Sequence, residues 1–262
     1  MQIQVGGSLK RNLGQKMFDA AAHWPVCELI PENWDPDNPE DVEILKSLSR
    51  DTQFLLHSLS LNALGEMHSD FLTQRILAWG DILETYLVTD HFSWSATDDH
   101  SFGVSIPPFE EAGVLSRRVS ALKKKLGRQL GLENICLSAD DEGFCHRYHQ
   151  TLTQICKEEG VLILLDLENL RLDSVASGAP VQELLAYYAD SEIAFYHVAG
   201  STECDLVLDT HDQPVPDQTL QLLLQSYRRN PKAVIYERDY ALDIADIIQE
   251  VEKISCFLQQ GN

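Results

Sequence analysis

The stretch Val161–Asn169, VLILLDLEN, constrains this chain more than any other. Val161–Leu165 is an unbroken apolar run, it ends on Asp166, and Glu168 and Asn169 follow at once. A short apolar run closed by a carboxylate reads as a strand buried on both faces that delivers an acid at its C-terminal end. An unpaired buried carboxylate is costly, so this acid needs a partner, and a metal ion is one. The same device recurs along the sequence. Ile3–Val5 starts the series, and VCELI (26–30), QFLLH (53–57), TYLVTDH (85–91), QLGLENI (129–135), EIAFYH (192–197) and AVIYERD (233–239) all read as strands. Helical patterns lie between them at 14–23, 41–50, 69–80 with Ser69 as N-cap, 109–127, 140–159, around 183–188, 218–229 and 241–258. The 109–127 segment carries acids in its first turn, lysines in its last and Gly127 after them, as the helix dipole and C-cap favour. SWSATDDHSFGVSIPP (93–108) reads as a polar loop. Eight strands alternating with helices predict the α/β class and a single (β/α)8 TIM barrel spanning residues 1–262.

Six of the strands end on residues that bind metals: His57, His91, Glu133, Asp166, His197 and Glu237. In such a barrel all strand C-termini face one rim, where active sites sit, so these six converge although they are distant in sequence. The loop after the seventh strand adds Asp209 and His211. A lone histidine at a strand end is ordinarily a hydrogen-bonded structural residue, but six such residues in succession point to a multinuclear metal site. Imidazole and carboxylate without thiolate suit iron, manganese or zinc. The ligands outnumber what one ion can use, so two or three ions are implied, with Glu133 as the natural bridge. Arg238 and Asp239 follow Glu237 at the rim, positioned to orient substrate or move protons, or to pair as a structural salt bridge. Cys145, His146 and His149 are read as lying outside any site, and His23, His68 and His100 as solvated or capping residues.

Composition narrows the function classes. Twenty basic against 41 acidic residues give a formal charge of −21. That charge repels phosphate backbones and anionic lipids, which excludes nucleic acid and membrane as natural partners. No segment approaches the roughly 20 apolar residues of a membrane span, and the opening MQIQVGGSLKRNLGQK has no apolar signal-peptide core. Six cysteines (27, 136, 145, 156, 204 and 256) with no CxxC pair predict free thiols in a reducing cytoplasm.

TDHFSWS, GLENI, LLDLENL, HVAG, LDTHDQPVPD and YERD, in this order, resemble the multinuclear non-haem iron-dependent oxidative enzymes. That family is typified by the methanobactin-biosynthesis iron enzyme and the thiaglutamate-pathway enzyme. LLHSLSLNALG around His57 and CELIPENW (27–34) match it more loosely. The resemblance covers most of the chain from about residue 26 to 240, and DTHDQPVPD is its most specific part. It implies a xylose isomerase-like barrel with His57, His91 and Glu133 holding one iron. Glu133, Asp166, His197 and Glu237 would hold a second, and Asn169, Asp209 and His211 a third. It further implies mixed Fe2+ and Fe3+ ions, O2 as co-substrate, a cysteine-containing ribosomally made precursor peptide as substrate, and a small partner protein that recruits the leader peptide. The family pattern DVNN is DLEN here, so Glu168 replaces an amide, and HLAGH is HVAGS, so Ser201 replaces a histidine. Two readings from the same barrel superfamily stand beside it: a zinc-dependent endonuclease IV-like hydrolase and a divalent-metal sugar isomerase. A metal-binding accessory protein without turnover is a fourth, and the 201–209 loop is an alternative grip for the substrate.

Overall fold

The computed structural model describes residues 3–97, 100–202, 207–226, 233–240 and 243–260. The described residues form ten strands: β1 (Gln4–Ser8), β2 (Val26–Leu29), β3 (Gln53–His57), β4 (Leu87–His91), β5 (Trp94–Thr97), β6 (His100–Ile106), β7 (Gln129–Glu133), β8 (Leu162–Asp166), β9 (Ile193–Val198) and β10 (Ala233–Tyr236). Eight of them close into a parallel barrel in the order β1-β10-β9-β8-β7-β4-β3-β2. The helices are α1 (Gln15–Ala21), α2 (Pro39–Leu48), α3 (Asp70–Ile82), α4 (Ala112–Leu126), α5 (Glu142–Glu159), α6 (Leu167–Ser177), α7 (Val181–Tyr187), α8 (Asp217–Ser226) and α9 (Ile244–Gln260). This is the predicted (β/α)8 barrel.

Alternation along the strands divides the core in two. Cys27, Leu56, Val88, Leu130, Leu132, Ile163, Leu165, Val198 and Val234 point outward into the large cluster shared with the helices. Val26, Leu55, Leu164, Phe195 and Ile235 form a separate small cluster inside the barrel. Both faces are therefore apolar, which is why the strands read as continuous runs rather than alternating ones. Close strand contact needs a glycine at one place above all: a Cβ on Gly6 would stand 1.7 Å from the carbonyl oxygen of Val26.

Two expectations change and one helix is added. The 93–108 segment is not a polar loop; β5 and β6 pair antiparallel, with Trp94 opposite Ile106 and Ala96 opposite Ser101. Its Ser, Gly and Pro content masks the strand-forming Phe102, Val104 and Ile106. The segment after Asp166 is a helix, α6, which has no apolar stripe because Leu167–Asp173 are all buried. Asp166 caps it, its carboxylate accepting from Asn169 N. The predicted 109–127 helix begins at Ala112. Positions 227–229 and 241–242 of the last two predicted helices lie outside the described residues, as do residues 203–206 of the 201–209 loop. Cys27, Cys136, Cys145, Cys156 and Cys256 are free thiols, and Cys204 lies outside the described residues. Among the described residues no helix is long and apolar enough to cross a membrane.

Candidate metal centre

The two-residue strand period builds the centre. One step of two residues beyond Leu55, Leu164, Phe195 and Ile235 of the barrel floor lie His57, Asp166, His197 and Glu237. On β4 and β7 the same phase carries His91 and Glu133, which are register partners, as are Asp166 and His197. Glu237 extends the pairing past β10 by donating its N–H to Val198 O at 3.0 Å. The six expected ligands thus form one polar layer on an apolar floor at the C-terminal rim. His57, Glu133, Asp166, His197 and Glu237 are buried, and His91 lines a cavity of about 530 Å³ at the mouth.

His57, His91 and Glu133 place their ligand atoms within one ion's reach. His57 Nδ1 lies 3.0 Å from Thr89 Oγ1, and Thr89 donates its own hydrogen to Leu56 O. The His57 proton is therefore on Nδ1, and Nε2 carries a lone pair. That lone pair stands 3.2 Å from Glu133 Oε2, and His91 Nε2 stands 3.5 Å from the same oxygen. Glu133 Oε2 is buried and has no hydrogen-bond partner. Two imidazole lone pairs facing one carboxyl oxygen in a buried site need a cation between them, a proton in the metal-free protein or a metal ion, and three such donors around one point fit a metal site. Burial, then the neighbouring His91 and His197, hold His57 well below the usual imidazole range, and burial takes His91 down to about 4. Both rings are neutral, as metal ligands must be.

Glu133, Asp166, His197 and Glu237 form the second group. His197 Nδ1 lies 2.9 Å from Glu133 Oε1, 3.2 Å from Glu237 Oε2 and 4.0 Å from Asp166 Oδ2. Its other nitrogen, Nε2, is 2.6 Å from Glu28 Oε2. Burial disfavours the imidazolium, yet Glu237, Glu28 and Glu133 outweigh it and raise the His197 pKa. The Nδ1 proton stands in for a metal cation among these carboxylates. Burial raises Glu133 well above the carboxylate range and Asp166 to about 7, while His197 and His211 prevail over burial to keep Glu237 low.

Of the third set, His211 Nε2 lies 2.6 Å from Asp209 Oδ1 and 3.9 Å from Asp166 Oδ2. His211 Nδ1 lies 3.2 Å from Glu237 Oε2 and 3.5 Å from Asp239 Oδ2, and these three residues also group as potential ligands. Asn169 joins through Asp166, whose Oδ1 accepts from Asn169 N at 2.6 Å; the Asn169 Oδ1 is buried without a partner. Gly200 forms an antiparallel bridge with Gln213, which brings the described residues after Leu208 back beside the end of β9. The geometry thus makes Glu133 and Glu237 shared groups that both meet His197 at Nδ1.

A family model described as "RiPP precursor modification enzyme MbnB/TglH/ChrH" matches residues 4–259. The chain belongs to this family. Among its relatives is a "UPF0276 protein" of Shewanella sediminis, 25% identical over 261 residues, covering 97% of this chain and 94% of that one. Another from Caulobacter vibrioides is 27% identical over 234 residues, covering 86% and 83%. A xylose isomerase-like TIM barrel protein from Mycobacterium smegmatis, solved with magnesium, shares the fold at a TM-score of 0.61 and 12% identity over 99% of this chain and 97% of that one. The 3-keto-D-glucoside 4-epimerase of E. coli does so at 0.58 and 12%, over 99% and 100%. These likenesses establish the xylose isomerase-like barrel and nothing about chemistry.

In this member of the family two rim residues escape a reading of strand ends. Glu28 lies inside VCELI, not at its close, but it is in phase with the ligand layer, two residues beyond Val26 of the barrel floor. Lys10, beyond β1, lies 2.7 Å from Asp239 Oδ1. Burial opposes its charge, but Asp239, Glu237 and Glu28 sustain it and raise its pKa. Arg238 is buried and donates to Tyr240 O at 3.0 Å and Tyr236 Oη at 3.4 Å, whereas Asp239 lines the mouth. The departures at Glu168 and Ser201 meet: Glu168 binds Arg171 through both oxygens and accepts from Thr219 Oγ1 and Ser201 N. Glu168 thereby ties the 200–213 loop to α6 and α8 instead of entering the metal layer. Cys145, His149 and Asp173 also lie within one ion's reach. There, however, both His149 nitrogens are occupied, by Tyr188 Oη at 2.6 Å and Asp173 Oδ2 at 3.1 Å, so the cluster is a satisfied structural network.

Proposed function

We propose that this chain is a multinuclear iron-dependent oxidase or oxygenase that uses O2 to modify cysteine residues of a ribosomally made precursor peptide, working with a small partner protein. The observation that carries the metal reading is the convergence of the His57 Nε2 lone pair and His91 Nε2 on the unpartnered Glu133 Oε2. Family membership supports the precursor-peptide substrate. His57, His91 and Glu133 hold one ion; Glu133, Asp166, His197 and Glu237 hold a second; Asn169, Asp209 and His211 hold a third. The donor set of imidazole, carboxylate and one amide suits iron. Mixed Fe2+/Fe3+ bound there supplies O2 activation and acidifies a coordinated cysteine thiol.

The protein's own residues orient and insulate. Thr89 fixes the His57 tautomer, and Glu28 does the same for His197 from the far side of the ring, as carboxylate–histidine–metal arrangements require. The apolar floor closes the site to water from below, leaving the mouth as the path for peptide and O2. Asp239, anchored by Lys10 and facing that mouth, is placed to accept or pass a proton, while Arg238 fixes the backbone beside it. A net charge of −21 disfavours the endonuclease reading, which needs attraction for phosphate.

The test is oxygen uptake by the anaerobically purified, iron-loaded protein with a cysteine-bearing peptide encoded beside its gene, with and without the product of the neighbouring small gene. Uptake and a peptide mass change that need both the cysteine and the partner are expected. A cysteine-to-serine peptide that turns over equally would overturn the substrate assignment, and full activity without the partner would remove the partner.

A further inference from the structure

Four of the described arginines are held by carboxylates. Arg11 pairs with Asp41, Arg118 with Glu66 and Glu110, Arg128 with Asp81 and Arg171 with Glu168. Arg75, on α3, pairs with none of the described carboxylates. Its Nε is spent on Pro31 O at 3.1 Å and Trp34 O at 2.7 Å, and its guanidinium carbon lies 5.9 Å from the Phe71 ring centre. These contacts hold the group in place and leave its two terminal nitrogens for a cavity of about 200 Å³ lined also by Ser60, Ser69, Phe71 and Ser101. A buried water's share of volume is about 30 Å³, so the cavity admits one amino-acid side chain. Glu32 forms part of the wall; its Oε1 is engaged by Ser58 Oγ, Leu59 N, Ser60 N and Ser60 Oγ, while its Oε2 is buried without a partner and lies beyond ion-pair distance of Arg75. Glu32, Ser60 and Ser101 line the mouth of the metal centre as well, so the two cavities are adjoining parts of one groove.

We infer that Arg75 forms a carboxylate-binding subsite that grips an acidic group of the peptide a short distance from the residue at the metal centre. This rests on the peptide reading above. An immobilised guanidinium fork with two free nitrogens binds a carboxylate bidentately, and serine hydroxyls at its edge supply further donors. In a chain of charge −21, long-range electrostatics repel an acidic peptide, so a local guanidinium that no carboxylate pairs within the cavity provides register rather than general attraction. The carboxylate comes either from an Asp or Glu side chain or from a peptide C-terminus.

Equilibrium binding of fluorescent cysteine peptides to the intact iron-loaded protein tests this without requiring turnover. The panel places one glutamate at successive positions on either side of the cysteine with the C-terminus amidated. Its controls replace glutamate by glutamine, with the C-terminus either amidated or free. At one position the glutamate peptide is expected to bind about tenfold more tightly than its glutamine counterpart, as charge-assisted bonds give. A free C-terminus restoring that affinity to a glutamine peptide assigns the site to chain ends instead of side chains. Arg75→Gln should abolish the preference while leaving the glutamine peptides' affinity and the iron content unchanged. Ser101→Leu, which fills the cavity without touching Arg75, should abolish it too and guards against misfolding of the first variant. Equal affinity for acidic and neutral peptides at every position, loss of both together in Arg75→Gln, or no binding by any member overturns the subsite. A preference without O2-dependent turnover would uphold the subsite and count against the oxidase reading.

Discussion

Glu133 offers one oxygen to His57 and His91 and the other to His197, so it joins two ion positions. Glu133→Ala should strip most of the iron, and His57→Ala and His91→Ala should each lower it; elemental analysis of the purified variants decides, and a normal iron content in Glu133→Ala removes the bridging role. Glu28→Gln keeps shape but exchanges the acceptor facing His197 Nε2. Iron affinity measured by chelator competition should fall about 10–100-fold with the fold intact. Burial lifts Asp166 from the usual carboxylate range to about 7. Its raised pKa means the folded metal-free protein holds a proton that the unfolded chain releases near pH 4. Stability of the metal-free protein from this group is therefore present at low pH and lost as pH climbs towards 7, of order 2–4 kcal/mol. Urea titrations between pH 4.5 and 8 should show that loss without metal and a smaller one with iron; a metal-free stability that rises through this range would contradict the assignment. The ligands were legible because apolar runs stop on them. Glu28 was not, because it lies inside VCELI with apolar residues on both sides, and only the two-residue phase set by Val26 in the barrel floor places it in the layer.

The elements differ in how plainly they announce themselves. Strands β3, β4, β7 and β8 end on candidate ligands, β9 carries His197 one residue before its end, and all were readable, whereas α6 was hidden because burial on all sides erases the helical stripe. The β5–β6 hairpin was hidden by its polar composition. The 200–213 loop was identified by its motif, but its fold-back depends on Gly200: a Cβ there would stand 2.0 Å from Pro214 O. Gly200→Ala should push the loop outwards, lower the metal content by the His211 share and leave a diiron signal. Thermal unfolding together with metal counting tests this. Loss of all iron would show that the third position is not separable from the other two, the second of which shares Glu237 with it in this geometry.

At the scale of the whole molecule, the alternation of eight apolar runs with helices was enough to predict the barrel, since closure brings every strand end to one rim. What no strand pattern discloses is which ions the rim holds, because imidazole and carboxylate accept several metals. The negative charge of the chain serves that rim: carboxylates gather cations while repelling phosphate-bearing competitors. The central claim is a multinuclear iron centre, and the most direct test is Mössbauer spectroscopy with elemental analysis on protein grown in 57Fe and purified without oxygen. The proposed function predicts two or three irons per chain, with coupled mixed-valence signals that collapse in Glu133→Ala. A single ion, or zinc filling the site with iron absent, would contradict it.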